Sequence, residues 1–254
     1  MASVIFPDEV KNSALFAGLT EQDKNALLSG GKIRKIPKGQ MIYVHTYPVT
    51  SFYIISDGTI KLFRESTDGH EKTTDVLTVG HTMCEKEFFD PSCVHRVNAE
   101  AITDAVLMEF PVSWLRENAK KHPIFALNLL SAISRDVHIA EIEAEHLATM
   151  SAAQLVACFL QRMCILYNFN PEEFELPYSK GLIASRLGME IETFSRTLLK
   201  LRDNGVTVVG TKVKFNDLEA IEQYVCGKCS AVEECPTHKA MQKKINDDKN
   251  ATYA

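Results

Sequence analysis

Tyr178-Ser-Lys-Gly-Leu-Ile-Ala-Ser-Arg-Leu-Gly188-Met-Glu-Ile-Glu-Thr-Phe-Ser-Arg-Thr-Leu-Leu-Lys-Leu-Arg-Asp-Asn-Gly205 reads as two short helices joined by a glycine turn. The first carries Leu182, Ile183 and Leu187 and stops at Gly188, which tolerates the positive backbone dihedral that ends a helix. The second starts near Ile191. It gathers Phe194, Leu198, Leu199 and Leu201 on one side and leaves Glu192, Ser195, Arg196 and Lys200 for the other. Asn204-Gly205 ends it, and Val206 to Phe215 alternates well enough for a hairpin turning at Gly210-Thr211. The result is a winged helix-turn-helix, a build that lays its second helix in the major groove of double-stranded DNA. An ordinary helix pair with a solvated charged face satisfies the same pattern.

Charge favours the first reading. Tyr178 to Asp217 holds seven Lys/Arg against four acids, a local balance of +3 on a chain whose net charge is −5. Phosphate attraction works through a few local contacts rather than total charge. On such a helix Arg196 is placed to bond guanine O6 and N7, and Glu192 to accept from a cytosine amino group. Thr193, Ser195, Lys200 and Lys180 complete the DNA-facing candidates.

Ile183-Ala-Ser-Arg-Leu-Gly188 followed by Glu192-Thr-Phe-Ser-Arg196 resembles the recognition-helix signature of the Crp/Fnr family of bacterial transcription regulators, Fnr-like branch. In that branch a Glu, Ser and Arg at this spacing read a TTGA-type half-site. The resemblance therefore implies Glu192, Ser195 and Arg196 as base readers, with RNA polymerase as a further partner.

Upstream, Lys32 to Phe110 breaks into short β-type runs divided by Lys38-Gly39, Asp57-Gly58 and Asp68-Gly69. Asp-Gly between such runs signals a hairpin, and regular short strands suggest a barrel or jelly roll. Phe52-Tyr-Ile-Ile55 with Gly58, then Gly80, Glu85 and Phe88-Phe89, resembles the β-roll of cyclic-nucleotide-binding domains, the sensor of the same family. Nucleotide binders carry Gly-Glu at the phosphate position; this chain has Cys84-Glu85, and Arg96 about ten residues on. Glu85 with Arg96 is a possible clamp for ribose and phosphate. A buried ion pair or surface charges fit the same residues.

From Pro123 to Met150 the pattern is helical throughout. Ala126, Leu130, Ile133, Val137, Ala140, Ala144 and Leu147 step by four and three, a seam of about three heptads. A parallel homodimer through this helix, residues 123–150, fits the narrow stripe and matches the family's dimer helix. A helix packed only within its own chain is the alternative.

The fold expected is α+β: a β-roll sensor domain over 1–119, a dimerisation helix over 120–150, a winged helix-turn-helix over 151–217 and a cysteine-containing tail over 218–254. At 254 residues and 45% apolar composition the chain has material for a real core. It has no apolar run long enough for a membrane span and no basic-then-apolar N-terminus, so a cytoplasmic protein is expected. No catalytic constellation points to an enzyme. A cyclic-nucleotide-responsive regulator, favoured by the β-roll and disfavoured by Cys84, is a second reading, and a redox or electron-transfer protein with an incidental helix-turn-helix is a third.

Seven cysteines, an odd number without an export signal, argue against a disulfide framework. Cys226-Gly-Lys-Cys229, with Cys235 six residues later and Pro236 behind it, offers three thiolates to one ion or cluster. Some Fnr-like regulators carry an iron-sulfur cluster on a short C-terminal cysteine motif, and this tail resembles that arrangement with a slightly longer second spacing. The N-terminal motif of other Fnr-like proteins is absent, since no cysteine precedes Cys84. The fourth ligand stays open: His238 would make a zinc site, and a carboxylate such as Asp136 would complete a cluster. Iron-sulfur, structural zinc and unligated thiols are all compatible with the spacing. Cys158 and Cys164 read as ordinary buried thiols.

Overall fold

A computed structural model describes residues 8–166, 173–176, 178–227 and 229–252. The chain divides into two compact units, Met1–His138 and Ile139–Ala254.

The first unit opens with α1 (Asp8–Lys11) and α2 (Glu21–Leu28), the latter capped by Thr20 Oγ1, which accepts from Asp23 N at 3.1 Å. Eight strands follow: β1 (Lys32–Ile36), β2 (Met41–Tyr43), β3 (Ser51–Asp57), β4 (Ile60–Glu65), β5 (Glu71–Leu77), β6 (Thr82–Met83), β7 (Asn98–Ala101) and β8 (Ala105–Pro111). The helix α3 (Glu85–Phe89) lies between β6 and β7. The strands form two four-stranded antiparallel sheets in the orders β1-β8-β3-β6 and β2-β7-β4-β5. The jumps in strand order are those of a β-roll rather than a meander.

Strand β3 shows why the sheets stack as they do. Side chains alternate faces along a strand, so a strand buried on both faces reads as a near-continuous apolar run, here Phe52 to Ile55. Phe52 and Ile54 join one core with Leu15, Phe16, Leu27, Phe110, Trp114 and Phe125. Tyr53 and Ile55 point the other way, into a core with Ile36, Ile60, Leu77 and Leu107. The β3–β4 turn needs Gly58: its φ is 86°, and a Cβ there would stand 2.4 Å from Asp104 O.

Two helices close the unit, α4 (Val112–Lys121) and the start of α5 (Pro123–Thr149). Phe125 and Leu129 bury one side of α5 in the first core. Its other side carries Leu127, Leu130, Val137 and Leu147, exposed at 61%, 62%, 52% and 61%. Of the heptad seam, Leu130, Val137, Ala140, Ala144 and Leu147 are exposed, and Ala126 and Ile133 are half-buried.

The second unit holds the end of α5, then α6 (Ala152–Leu166), β9 (Phe174–Glu175), α7 (Lys180–Arg186), α8 (Ile191–Lys200), β10 (Val206–Val209), β11 (Lys212–Phe215), α9 (Leu218–Cys226) and α10 (Pro236–Thr252). The sequence reading carried the helix after Ser151 to Asn168, which lies outside the described residues. Strands β10 and β11 pair antiparallel as the expected wing, and β9 adds a third strand by pairing with β11. One core runs from Val156, Phe159, Leu160 and Met163 of α6 to Ile183 of α7, Phe194 and Leu198 of α8, Val213 of β11 and Ile221 of α9.

Candidate nucleic-acid interface and metal centre

Ser179 starts α7 by accepting from Leu182 N at 3.3 Å. Gly188, at φ 65°, turns the chain between α7 and α8, with Met189 N donating to Ala184 O at 2.9 Å. On α8, Phe194, Thr197 and Leu198 are buried. Glu192, Ser195, Arg196, Leu199 and Lys200 are exposed, and Thr193 and Lys180 are half-buried. Leu199, expected on the packed side, is 57% exposed. It falls one residue past Leu198, about 100° round the helix, so the two cannot share a narrow face. Arg196 Nε reaches Glu192 O at a long 3.4 Å, which holds the guanidinium beside the helix start without engaging its Nη groups.

Not every cation of the basic island faces outward. Arg186 Nη2 donates to both oxygens of Glu143, at 2.9 and 2.7 Å. Arg162 Nη1 approaches the same carboxylate at 2.5 Å. Glu143 is partly buried; burial pushes its carboxyl up, but the two guanidinium groups outweigh that and hold it below its ordinary range. On the wing, Lys212 pairs with Glu173 at 2.6 Å, while Lys214 is exposed.

The tail cysteines converge on α6. Cys229 N donates to Cys226 O at 3.0 Å, closing the Cys-x2-Cys turn, and Cys235 leads directly into α10, its carbonyl accepting from Lys239 N at 3.1 Å. His146, 8% exposed in the last turns of α5, lies between two sulfurs: Nε2 is 3.3 Å from Cys229 Sγ, and Nδ1 is 3.9 Å from Cys158 Sγ. Burial pushes the Cys158 thiol up to about 12, with Arg162 opposing and charge on Cys235 and Cys229 adding to the rise. Burial likewise pushes Cys226 up to about 12, and Cys158, Glu222, Cys235 and Cys229 all add. Cys164, six residues along α6, is fully buried in the apolar core, and burial pushes its thiol up to about 11, with Lys244 opposing.

Thiols that lose protons on metallation suit a soft metal, either a zinc ion or an iron-sulfur cluster, so the donor chemistry of the tail cysteines fits such a group. Asp136, considered as the fourth ligand, is paired with Lys86 Nζ at 2.9 Å in the first unit. His238 turns to Glu222 instead, with Nδ1 2.8 Å from Oε1 but without hydrogen-bond alignment. With Cys226 these two make a three-donor group whose ligand atoms all lie within 4.8 Å of one another. The approach of His146 to both Cys158 and Cys229 carries no signal in the sequence, because the three share no local spacing.

The nucleotide clamp residues are engaged separately. Glu85 is 3% exposed, its Oε2 has no hydrogen-bond partner among the described residues, and burial pushes its carboxyl up to about 7. Arg96 is ion-paired with Asp90 and donates to Ser92 Oγ at 3.1 Å. Where nucleotide binders have glycine, Cys84 keeps the left-handed backbone, φ 75°, yet carries a side chain. Its Sγ lies 3.6 Å from His95 Nδ1, and His95 stacks on Tyr43 at 3.9 Å between ring centroids.

Double-sheet β-roll, long helix and winged helix-turn-helix with an exposed polar face on α8 together define a DNA-binding transcription regulator. Comparison with known proteins agrees. The cyclic nucleotide-binding domain matches residues 33–122, and the Crp-like helix-turn-helix domain matches 154–224. The anaerobic regulatory protein of Pasteurella multocida is 27% identical over 192 residues, covering 74% of this chain and 70% of that one. The regulatory protein HlyX of Actinobacillus pleuropneumoniae is 28% identical over 194 residues, covering 74% and 79%. A solved structure from Silicibacter pomeroyi DSS-3, described as a cAMP-binding regulatory protein, is 30% identical, covers 86% of this chain and 97% of its own, and superposes with a TM-score of 0.59. FixK2 from Bradyrhizobium japonicum, 22% identical over 76% of this chain and 96% of its own with a TM-score of 0.67, supports the fold alone. The chain belongs to the Crp/Fnr family. Among the described residues no helix is long and apolar enough to cross a membrane.

Proposed function

We propose that this chain binds an inverted repeat of TTGA-type half-sites in double-stranded DNA as a homodimer, under the control of a redox- or oxygen-sensitive iron-sulfur centre on its tail cysteines. The observation that carries the DNA reading is the division of α8. Its packed face fixes the helix in the core, and Glu192, Ser195 and Arg196 are left exposed together near its N-terminus. Major-groove readers of this class meet base edges with the N-terminal residues of the second helix. Thr193, Lys200 and Lys180 flank that face, and RNA polymerase is the partner through which a bound regulator of this kind acts.

The exposed stripe of Leu127, Leu130, Val137 and Leu147 supports the homodimer, since a second copy of α5 gives these side chains a dry partner. A bound cluster would supply an oxygen-labile, electron-accepting centre. Cys226, Cys229 and Cys235 would hold it, and Cys229 sits where His146 Nε2 can donate to its sulfur. A structural zinc site is the second reading, favoured by the grouping of Glu222, Cys226 and His238.

The test is DNA binding by anaerobically purified protein, measured by fluorescence anisotropy on a duplex with two TTGA-type half-sites. Tight binding that the double variant Glu192→Ala/Arg196→Ala loses, and that air exposure changes, is the expected result. Specific binding that survives the double substitution would sink the assignment of the base readers. Binding indifferent to air, by protein free of iron, would remove the cluster from the mechanism.

A further inference from the structure

We infer that Cys158, on the first helix of the DNA-binding unit, is the fourth thiolate of the metal centre formed by Cys226, Cys229 and Cys235, so that the centre fastens the tail to α6. The inference rests on reading the tail cysteines as a metal centre; it adds the ligand and the place where the tail is tied.

Three observations carry it. Cys158 Sγ and Cys229 Sγ stand at opposite nitrogens of one buried imidazole, so a helix thiol and a tail thiol flank the same ring. Both α9, which ends at Cys226, and α10, which starts after Cys235, pack on α6. All three tail ligands are thus delivered to the helix that bears Cys158. Finally, Cys158 is half-buried beside His146, whereas Cys164 on the same helix is fully buried in the apolar core.

The spacing of the sulfurs bears on the metal. A single tetrahedral zinc ion with bonds of about 2.3 Å draws its four sulfurs to within roughly 4 Å of one another. Among the described residues, the three-donor group within 4.8 Å contains Cys226 alone of these four cysteines. A four-iron cluster, in which each thiolate binds a different iron, accepts the wider arrangement.

The consequence is mechanical. Helix α6 presents Phe159, Leu160 and Met163 to the core that also holds Phe194 and Leu198 of the recognition helix. A centre ligated by Cys158 therefore braces the platform under α8, and its loss frees the tail from that platform.

The experiment reconstitutes the full chain anaerobically with ferrous iron and sulfide. Iron and sulfide per chain, the visible spectrum and Tm are measured for wild type, Cys158→Ala and Cys164→Ala. Wild type and Cys164→Ala are expected to load, and to melt higher loaded than metal-free. Cys158→Ala is expected to lose about tenfold in metal retained and to show no such rise. Iron X-ray absorption of loaded wild type, which needs no variant, is expected to show only sulfur and iron neighbours.

Full loading of Cys158→Ala, or a nitrogen or oxygen atom bound to iron, overturns the ligand assignment and leaves the cluster reading standing. Purified wild type that carries zinc instead, in an all-sulfur shell that Cys158→Ala abolishes, upholds Cys158 as ligand and removes the iron. Wild type that takes up neither metal removes the metal centre and this inference together.

Discussion

Arg196 and Glu85 show how differently two charged residues are used in this chain. Arg196 is exposed, with its Nη groups unengaged among the described residues, at the reading end of α8. Arg196→Ala is expected to cost about 1 to 3 kcal/mol at one base position, seen when each base pair of the half-site is changed in turn. A uniform loss over all sequences would mean a phosphate contact instead. Glu85 is buried, next to Lys86, Asp136 and Glu87, with its carboxyl pushed up to about 7 by burial. An acid whose folded value lies above its unfolded one adds stability below the unfolded value, and that stability is lost as pH rises through the folded value. Glu85→Gln should therefore match wild type in urea melts at about pH 5 and exceed it at about pH 8, by at most roughly 3 kcal/mol. Equal midpoints at both pH values would show that the carboxyl is not held neutral. The helix-turn-helix was legible in the sequence because several helical turns of pattern and a glycine turn sit within one stretch. The state of Glu85 was not, since desolvation depends on what folds over a residue rather than on its neighbours in the chain.

At the level of elements, α5 and the carboxylate of Glu143 make separable contributions. The heptad seam of α5 was readable as a period, and its exposure fits a partner outside the chain. Leu130→Glu together with Val137→Glu is expected to shift sedimentation from dimer to monomer while leaving the chain folded, because neither side chain is needed in the core. Glu143 ties α5 to α6 and α7 through Arg162 and Arg186. Glu143→Gln should lower the stability of the second unit by about 1 to 2 kcal/mol; the pair is partly exposed, so the larger cost of breaking a fully buried pair does not apply. An unchanged melt would mean that solvent already screens the pair. Strand β9 escaped the sequence reading because two residues carry no period, and its partner on β11 lies nearly forty residues away. The approach of Cys158 to His146 escaped for the same reason: residues brought together from separate elements have no spacing to betray them.

For the whole molecule, the proposed dimer turns one reading head into two. Two recognition helices about 34 Å apart read half-sites one helical turn apart. Inserting about five base pairs between the half-sites should abolish tight binding, because it rotates one site by roughly half a turn to the far face of the duplex. Retained affinity would show that each copy binds independently. The fold class was legible from end to end, with β-type runs, helical seam and helix-turn-helix in chain order. How the strands divide between two sheets was not, since β1 pairs with β8 and β2 with β7 across most of the unit. The packing of Trp114 has an optical consequence. It is the chain's one tryptophan, 9% exposed and stacked 4.3 Å from Phe110 in the first unit. Indole emission therefore reports the melting of the β-roll and is blind to the helix-turn-helix, so tryptophan fluorescence and far-ultraviolet circular dichroism, followed on one sample, resolve the stabilities of the two units without cutting the chain.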